Sequence, residues 1–353
     1  MKSIKEKQVP EPMEAVTLEA WRRLYEVAGK VRELEPWRWM EETDIFGVQD
    51  PEGDEVAFVS IMGLLGEYHA VALYLGPGAL AQFWQMQEAT AGEQVADIMM
   101  GVPQLHAAFG KKRELDRKEK EVVQRLGLSC KGADAWPRFL SFRPGWAPWI
   151  VEAREARLLT LVLEQLLQVA PRVQQDRRLL LAMADDDYLV RRAGGADSAG
   201  GWTDTHRTFP PAAVTMRVTV PNALMDAVRQ LEPSGNTVEI DVYPMSTPIG
   251  EKGERPQVPY GLMAVDAESG FVLGVELVTV ETTLEALWTE IPAKFLSMVQ
   301  KAGIRPRTIA VRNPSLFMVM DHMCRELEIE IKPDSVLPAL THVRHDLDGF
   351  FRR

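Results

Sequence analysis

Cysteine is nearly absent: Cys130 and Cys324 are the two among 353 residues. So few, so far apart, exclude a disulfide framework and a zinc-ligand spacing, which points to a reducing, cytoplasmic compartment. A long apolar run is missing too. The greasiest stretch, "LLTLVLEQLLQVA" (158–170), is broken by Glu164, Gln165 and Gln168 and is too short to span a bilayer. The opening "MKSIKEKQVPEPME" has no apolar segment of the secretory kind. Nor is there a basic excess: the net charge is −11, whereas a surface that grips phosphates is positive, so charge argues against a nucleic-acid partner. After Ala212 the balance stays acidic, with 14 Lys and Arg against 19 Asp and Glu. No GxGxxG, P-loop, GxSxG or HExxH occurs, so no cofactor is implied and no familiar nucleophile is framed.

The composition is that of a globular protein, and the length favours two domains. The tandem Pro210–Pro211 marks the boundary, giving 1–211 and 212–353. In the first part, 17–34 carries apolar residues at steps of three and four behind Thr17, a helix with its cap. "DIFGVQDPEGDEVAFVSIMG" reads as a hairpin turning at Pro51–Gly53, "EYHAVALYLG" as a third strand, and "PGALAQFWQMQEAT" as a helix. The order suggests an α+β domain. Residues 111–125 alternate charges and read as a solvated helix with pairs such as Glu114–Lys118 rather than a phosphate site. Trp136, Trp146 and Trp149 concentrate in one stretch, either closing a core corner or lining an apolar site. Residues 150–170 are apolar on more than one face and predict a buried helix. Asp185, Asp186 and Asp187 lack the alternate spacing of a calcium loop and read as a turn.

Beyond the boundary come a short strand "VTMRVTV" and a helix "PNALMDAVRQL". Then "TVEIDVYPMST" (237–247) is a strand with Asp241 in its middle. "YGLMAVDAES" and "GFVLGVELVT" form a hairpin around Ser269–Gly270. "TTLEALWTEIPAKFLSMVQKAG" is a long helix that Pro292 should kink and Gly303 ends. "RTIAVRNP", "SLFMVMDHMCREL" and "EIEIKP" alternate strand, helix, strand, and the last segment supplies one or two helical turns. Phe317, Met318, Met320 and Met323 read as core filling. The predicted sheet has five strands, with 237–247 central, antiparallel to 260–268 and parallel to 307–313.

This order of elements resembles the ribonuclease H-like fold shared with DDE-type transposases, over about residues 237–340. The chain as a whole is similar to bacterial two-domain proteins with no assigned function, a likeness that implies no activity. The fold class expected is an α+β domain followed by an α/β ribonuclease H-like domain. The resemblance implies a first carboxylate in the middle of the first strand, which is Asp241. Its second carboxylate falls at the end of the fourth strand, where "VRNP" offers the neutral Asn313 beside Arg312. Its third falls on a late helix, with Asp334, Asp346 and Asp348 available. Two bridging divalent ions need several carboxylates, so an amide at the second position and a nearby arginine imply a degenerate site of Asp241, Asn313 and Arg312.

Two functions from different classes follow. One is a non-catalytic binding or regulatory protein, with a protein partner or a second copy of itself and no membrane. The other is a magnesium- or manganese-dependent nuclease or phosphoryl-transfer enzyme, in which Asp241, Asp266 and Asp346 form the ligand set. His342 and His345, with Asp346 and Asp348 beside them, read as a mixed-charge helix end rather than a metal face.

Overall fold

The structure, a computed structural model, describes residues 15–66, 68–88, 99, 101–130, 132, 135–181, 186–194, 201–210, 216–245, 247–251, 253–281 and 283–351. They group into two compact units, one of chain up to Ala212 and one mainly of the chain after it, which also takes in Arg143–Ala147. Among the described residues no helix is long and apolar enough to cross a membrane.

The first unit opens with α1 (Leu18–Leu34). Thr17 Oγ1 accepts the Ala20 N–H at 3.2 Å, and Trp21, Leu24, Ala28 and Val31 turn to the core, as the spacing predicts. Eight strands follow: β1 (Phe46–Gln49), β2 (Val56–Met62), β3 (His69–Leu75), β4 (Gln104–Gly110), β5 (Trp136–Phe142), β6 (Trp149–Ile150), β7 (Asp187–Ala193) and β8 (Trp202–Thr208). They make one sheet in the order β6-β5-β4-β3-β2-β1-β7-β8, parallel at β1–β7 and antiparallel elsewhere. The helices between them are α2 (Gly76–Glu88), α3 (Arg117–Leu126) and α4 (Ala153–Gln175). α4 is the buried helix the sequence predicts; it packs on α1, and Leu159, Val162, Leu163, Leu166 and Val169 are wholly enclosed.

Several segments differ from expectation. The charge run holds only a ten-residue helix, α3, stitched by Arg117–Glu121 and by the buried Glu119 bound to Arg138 on β5. The tryptophan-rich stretch contains β5, whose Pro137 lies beyond the two positions, Leu140 and Ser141, that pair with β6. Asp187 starts β7 and faces His206 at 3.1 Å, and Asp186 turns the chain with a φ of 60°, whereas Asp185 lies outside the described residues.

In the second unit, residues 216–220 form no strand. After α5 (Asn222–Arg229) come β9 (Thr237–Pro244), β10 (Tyr260–Asp266), β11 (Val272–Val278), α6 (Leu284–Ala302), β12 (Thr308–Val311), α7 (Pro314–Glu326), β13 (Glu330–Pro333) and α8 (Pro338–Phe351). The sheet order is β11-β10-β9-β12-β13, with β9 antiparallel to β10 and parallel to β12, as predicted. α6 is capped by Thr283, ends at Gly303 with φ 70° and contains Pro292 within its span. Met320 and Met323 fill the core and Phe317 packs against it, but Met318 is exposed. One sheet face packs on α5, α6 and α7, the other on α8, which is a full 14-residue helix rather than one or two turns.

Candidate functional site

The side chains of β9 alternate. Val238, Ile240 and Val242 enter the core with α6 and α7, so Glu239, Asp241 and Tyr243 turn to the α8 face. Asp241 is 2% exposed there. Its Oδ2 accepts from Arg312 Nη2 at 2.5 Å, and its Oδ1 accepts the Val242 N–H at 3.0 Å. Register dictates the partner. β12 runs parallel to β9 with Val311 beside Ile240, so the next residue, Arg312, falls beside Asp241.

Asn313 does not occupy that place. It caps α7 instead, its Oδ1 accepting the Ser315 N–H at 2.8 Å, with Pro314 supplying the first helical position. Asp266 is also elsewhere. β10 sets Met263 opposite Asp241 and Asp266 opposite Val238, which puts Asp266 on the other face, three residues along. Its carboxylate closes the turn into β11, accepting from the Ser269 N–H at 2.8 Å, Ser269 Oγ at 2.6 Å and Asn236 Nδ2 at 2.5 Å. Burial alone would raise this carboxyl, but those hydrogen bonds outweigh it and hold it below the usual carboxylate range.

Asp346 is exposed on α8 and lies 3.5 Å from His342 one turn earlier. His345 is exposed, Asp334 caps the Val336 N–H at 3.0 Å, and the side chain of Asp348 lies outside the described residues. The fold therefore brings Asp241 to Arg312 and brings neither Asp266 nor Asp346 to Asp241. Among the described residues no three His, Cys, Asp or Glu side chains gather as a metal site.

The residue that sequence reasoning passed over is Glu239. It is buried on Asp241's face, two positions away and hence about 7 Å along the strand. Its Oε2 accepts the Leu340 N–H at 2.8 Å, so a carboxylate from β9 holds the N-terminus of α8. The alternation in "TVEIDVYP" carried the signal, since it sets Glu239 and Asp241 on one face. Burial pushes both carboxyls up. For Asp241 the Arg312 guanidinium, the Val242 amide and Arg344 pull back, for Glu239 the Leu340 and Ala339 amides, and each ends above its ordinary range. Folded, these groups hold protons that the unfolded chain has released, so their contribution to stability falls as pH rises through their folded values. Arg344 also lies over the Tyr243 ring at 4.2 Å. Glu239→Ala is expected to cost about 1–3 kcal/mol, because buried amide donors lose their acceptor. Faster amide exchange confined at first to the start of α8 would report it; unchanged exchange there would show that Glu239 does not hold the helix.

The tryptophans are held by different neighbours. Trp136 belongs to the core of the first unit beneath Lys112, Trp149 lies under the Lys118 ammonium at 4.2 Å, and the Trp146 backbone pairs with Gln257.

Comparison with known proteins adds two family matches and a likeness to a solved structure. Residues 21–191 match the model of a domain of unknown function (DUF7309), and residues 224–348 match that of another domain of unknown function (DUF6930). No curated protein matches the chain. The catalytic core domain of the HTLV-2 integrase, solved in complex with magnesium in a trimeric form, is similar at 19% identity over 33% of this chain and 68% of that one. The TM-score is 0.25, too low to assign a fold.

Proposed function

We propose that the second unit is a ribonuclease H-like domain whose catalytic position is closed by an ion pair. The chain is then a non-catalytic binding or regulatory protein of the bacterial cytoplasm, dividing at Pro210–Pro211 into 1–211 and 212–353. The strand order supports the fold reading: a central β9 with an antiparallel hairpin on one side and the parallel β12 and β13 on the other.

One observation carries the functional reading, the Arg312 guanidinium 2.5 Å from Asp241 Oδ2. Phosphoryl transfer by two metals needs oxygens left open to cations and a cavity that admits water. Here a fixed positive charge occupies the one carboxylate in position, and the carboxylate is sealed from solvent. Asp266 is spent on a turn and Asp346 on a helix surface. The reading invokes no cofactor. The acidic balance disfavours nucleic acid as the partner and leaves a protein, or a second copy of the chain.

The purified full chain, incubated with magnesium or manganese, is expected to leave single-stranded DNA, duplex DNA, RNA and RNA–DNA hybrid intact. Robust cleavage that needs the metal and disappears in Asp241→Asn would overturn the reading and install the nuclease in its place.

A further inference from the structure

Residues 111–125 run against the charge of the rest of the chain: seven Lys and Arg stand there against four Asp and Glu, in a protein whose net charge is −11. The four carboxylates are turned back onto the protein. Glu114 Oε2 accepts the Lys111 N–H at 2.9 Å, and Asp116 Oδ1 accepts the Glu119 N–H at 2.7 Å. Glu119 is buried against Arg138, and Glu121 meets Arg117 at 2.9 Å. Among the cations, Lys111, Lys112, Arg113, Lys120 and Arg125 are exposed and pair with no carboxylate among the described residues. Two lysines are steadied over rings, Lys112 at 5.1 Å from the centre of Trp136 and Lys118 at 4.2 Å from that of Trp149.

We propose that this basic patch docks an acidic segment of a protein partner, a stretch rich in Asp and Glu whose carboxylates meet Lys111, Lys112, Arg113 and Lys120. For the chain alone the placement is unfavourable. Six of the seven cations fall within 111–120, in or just before the first four residues of α3. The unpaired backbone N–H groups of a helix start already add positive charge there, and cations ordinarily gather at the other end. Asp116 and Glu119 answer part of that charge, and no carboxylate among the described residues pairs with the five exposed cations. A local rule broken without a compensating contact inside the fold marks a surface kept for binding.

Carboxylates fit these surroundings better than phosphates. Single-stranded bases stack on open aromatic faces, whereas Trp136 is buried and the Trp149 ring lies under Lys118. A duplex needs a longer track. α3 has ten residues, a length of about 15 Å, and the chain outside 111–125 is acidic, so it repels a phosphate backbone that runs past the patch. A short acidic stretch touches the patch alone. The proposal gives the protein partner of the binding reading its chemistry, and it is separable from the closed Asp241 site. Metal-dependent cleavage would overturn that reading and leave docking here untouched.

The test is fluorescence anisotropy with the full chain and a labelled peptide of alternating Glu and Gly. Binding is expected, with none to a peptide of alternating Gln and Gly, and added salt should weaken it by screening the charges. Lys111→Glu, Arg113→Glu and Lys120→Glu together are expected to weaken binding by about tenfold or more, the summed effect of three reversed surface contacts. Arg192→Glu, Arg217→Glu and Lys301→Glu together change the net charge equally at exposed positions elsewhere. They are expected to leave binding within about twofold of the unaltered chain, since salt screens distant charges. Circular dichroism checks that both triple variants fold. Should the first not, acetylation of lysines in the unaltered chain gives a second reading, with Lys111, Lys112 and Lys120 expected to react more slowly when the Glu peptide is bound. No binding of that peptide, equal binding of the Gln peptide, equal loss in the two triple variants, lysine reactivity that ignores the peptide, or tighter binding of an oligothymidylate of the same charge would each overturn the proposal.

Discussion

Replacing Arg312 by methionine is expected to destabilise the second unit by about 3–5 kcal/mol, the range for leaving one member of a buried ion pair without its partner. The guanidinium donates to Asp241 Oδ2 and the Val242 N–H to its Oδ1, with the Arg344 charge acting as a further, weaker influence. Without the arginine, Asp241 must stay charged in an apolar layer or take up a proton. The second course is open to it because burial already holds its carboxyl above the ordinary range. The cost should therefore shrink as pH falls, since protonation removes the unpaired charge. Pairing Arg312→Met with Asp241→Asn is expected to restore most of the loss, because neither charge then remains. Asp241→Asn alone should cost more than the 1 kcal/mol or so of an exposed site, since Asp241 is enclosed. Amide exchange of peptides within β9 and β12 measures the local opening free energy. A loss below about 1 kcal/mol for Arg312→Met, or one indifferent to pH, would show that the pair does not hold the site.

The second unit was legible where its rules are local. β-branched residues at alternating positions marked β9, Ser269–Gly270 marked the turn that joins β10 to β11, and Gly303 marked the end of α6. What stayed hidden depends on partners distant in sequence. α8 looked like one or two turns because its start shows only a proline; its acceptor, Glu239, lies 101 positions earlier. Likewise "VRNP" suggested Asn313 as the neighbour of Asp241, and only the parallel register shows the neighbour to be Arg312. In the first unit β4 escaped notice because "QLHAAFG" has no β-branched residue and no alternation; all seven positions are buried. The candidate site thus emerges from two strands, β9 and β12, that the sequence could place side by side but not align to the residue.

The first unit should respond to acid in the direction opposite to the Glu239 and Asp241 carboxyls, and His106 is the reason. Its ring is 3% exposed in the middle of β4, with Nε2 2.9 Å from Gln104 Oε1 and Nδ1 3.5 Å from the Tyr68 hydroxyl. Phe142 packs on it at 4.6 Å. Burial without an anionic partner pushes the imidazole down from 6.5 to about 4. Between those values the unfolded chain binds a proton that the folded chain refuses, so stability falls as pH drops through that window and is fully present above it. The gap corresponds to about 3 kcal/mol. Amide exchange of peptides from β3, β4 and β5 should record that loss between pH 6.5 and 4. In His106→Gln, which keeps a partner for Gln104, the loss over the same window should be smaller by that amount. Carboxylates elsewhere titrate in both proteins and cancel in the difference. A difference that stays flat from pH 6.5 to 4 would mean that the ring takes its proton inside the fold, and burial would then not be what sets its charge.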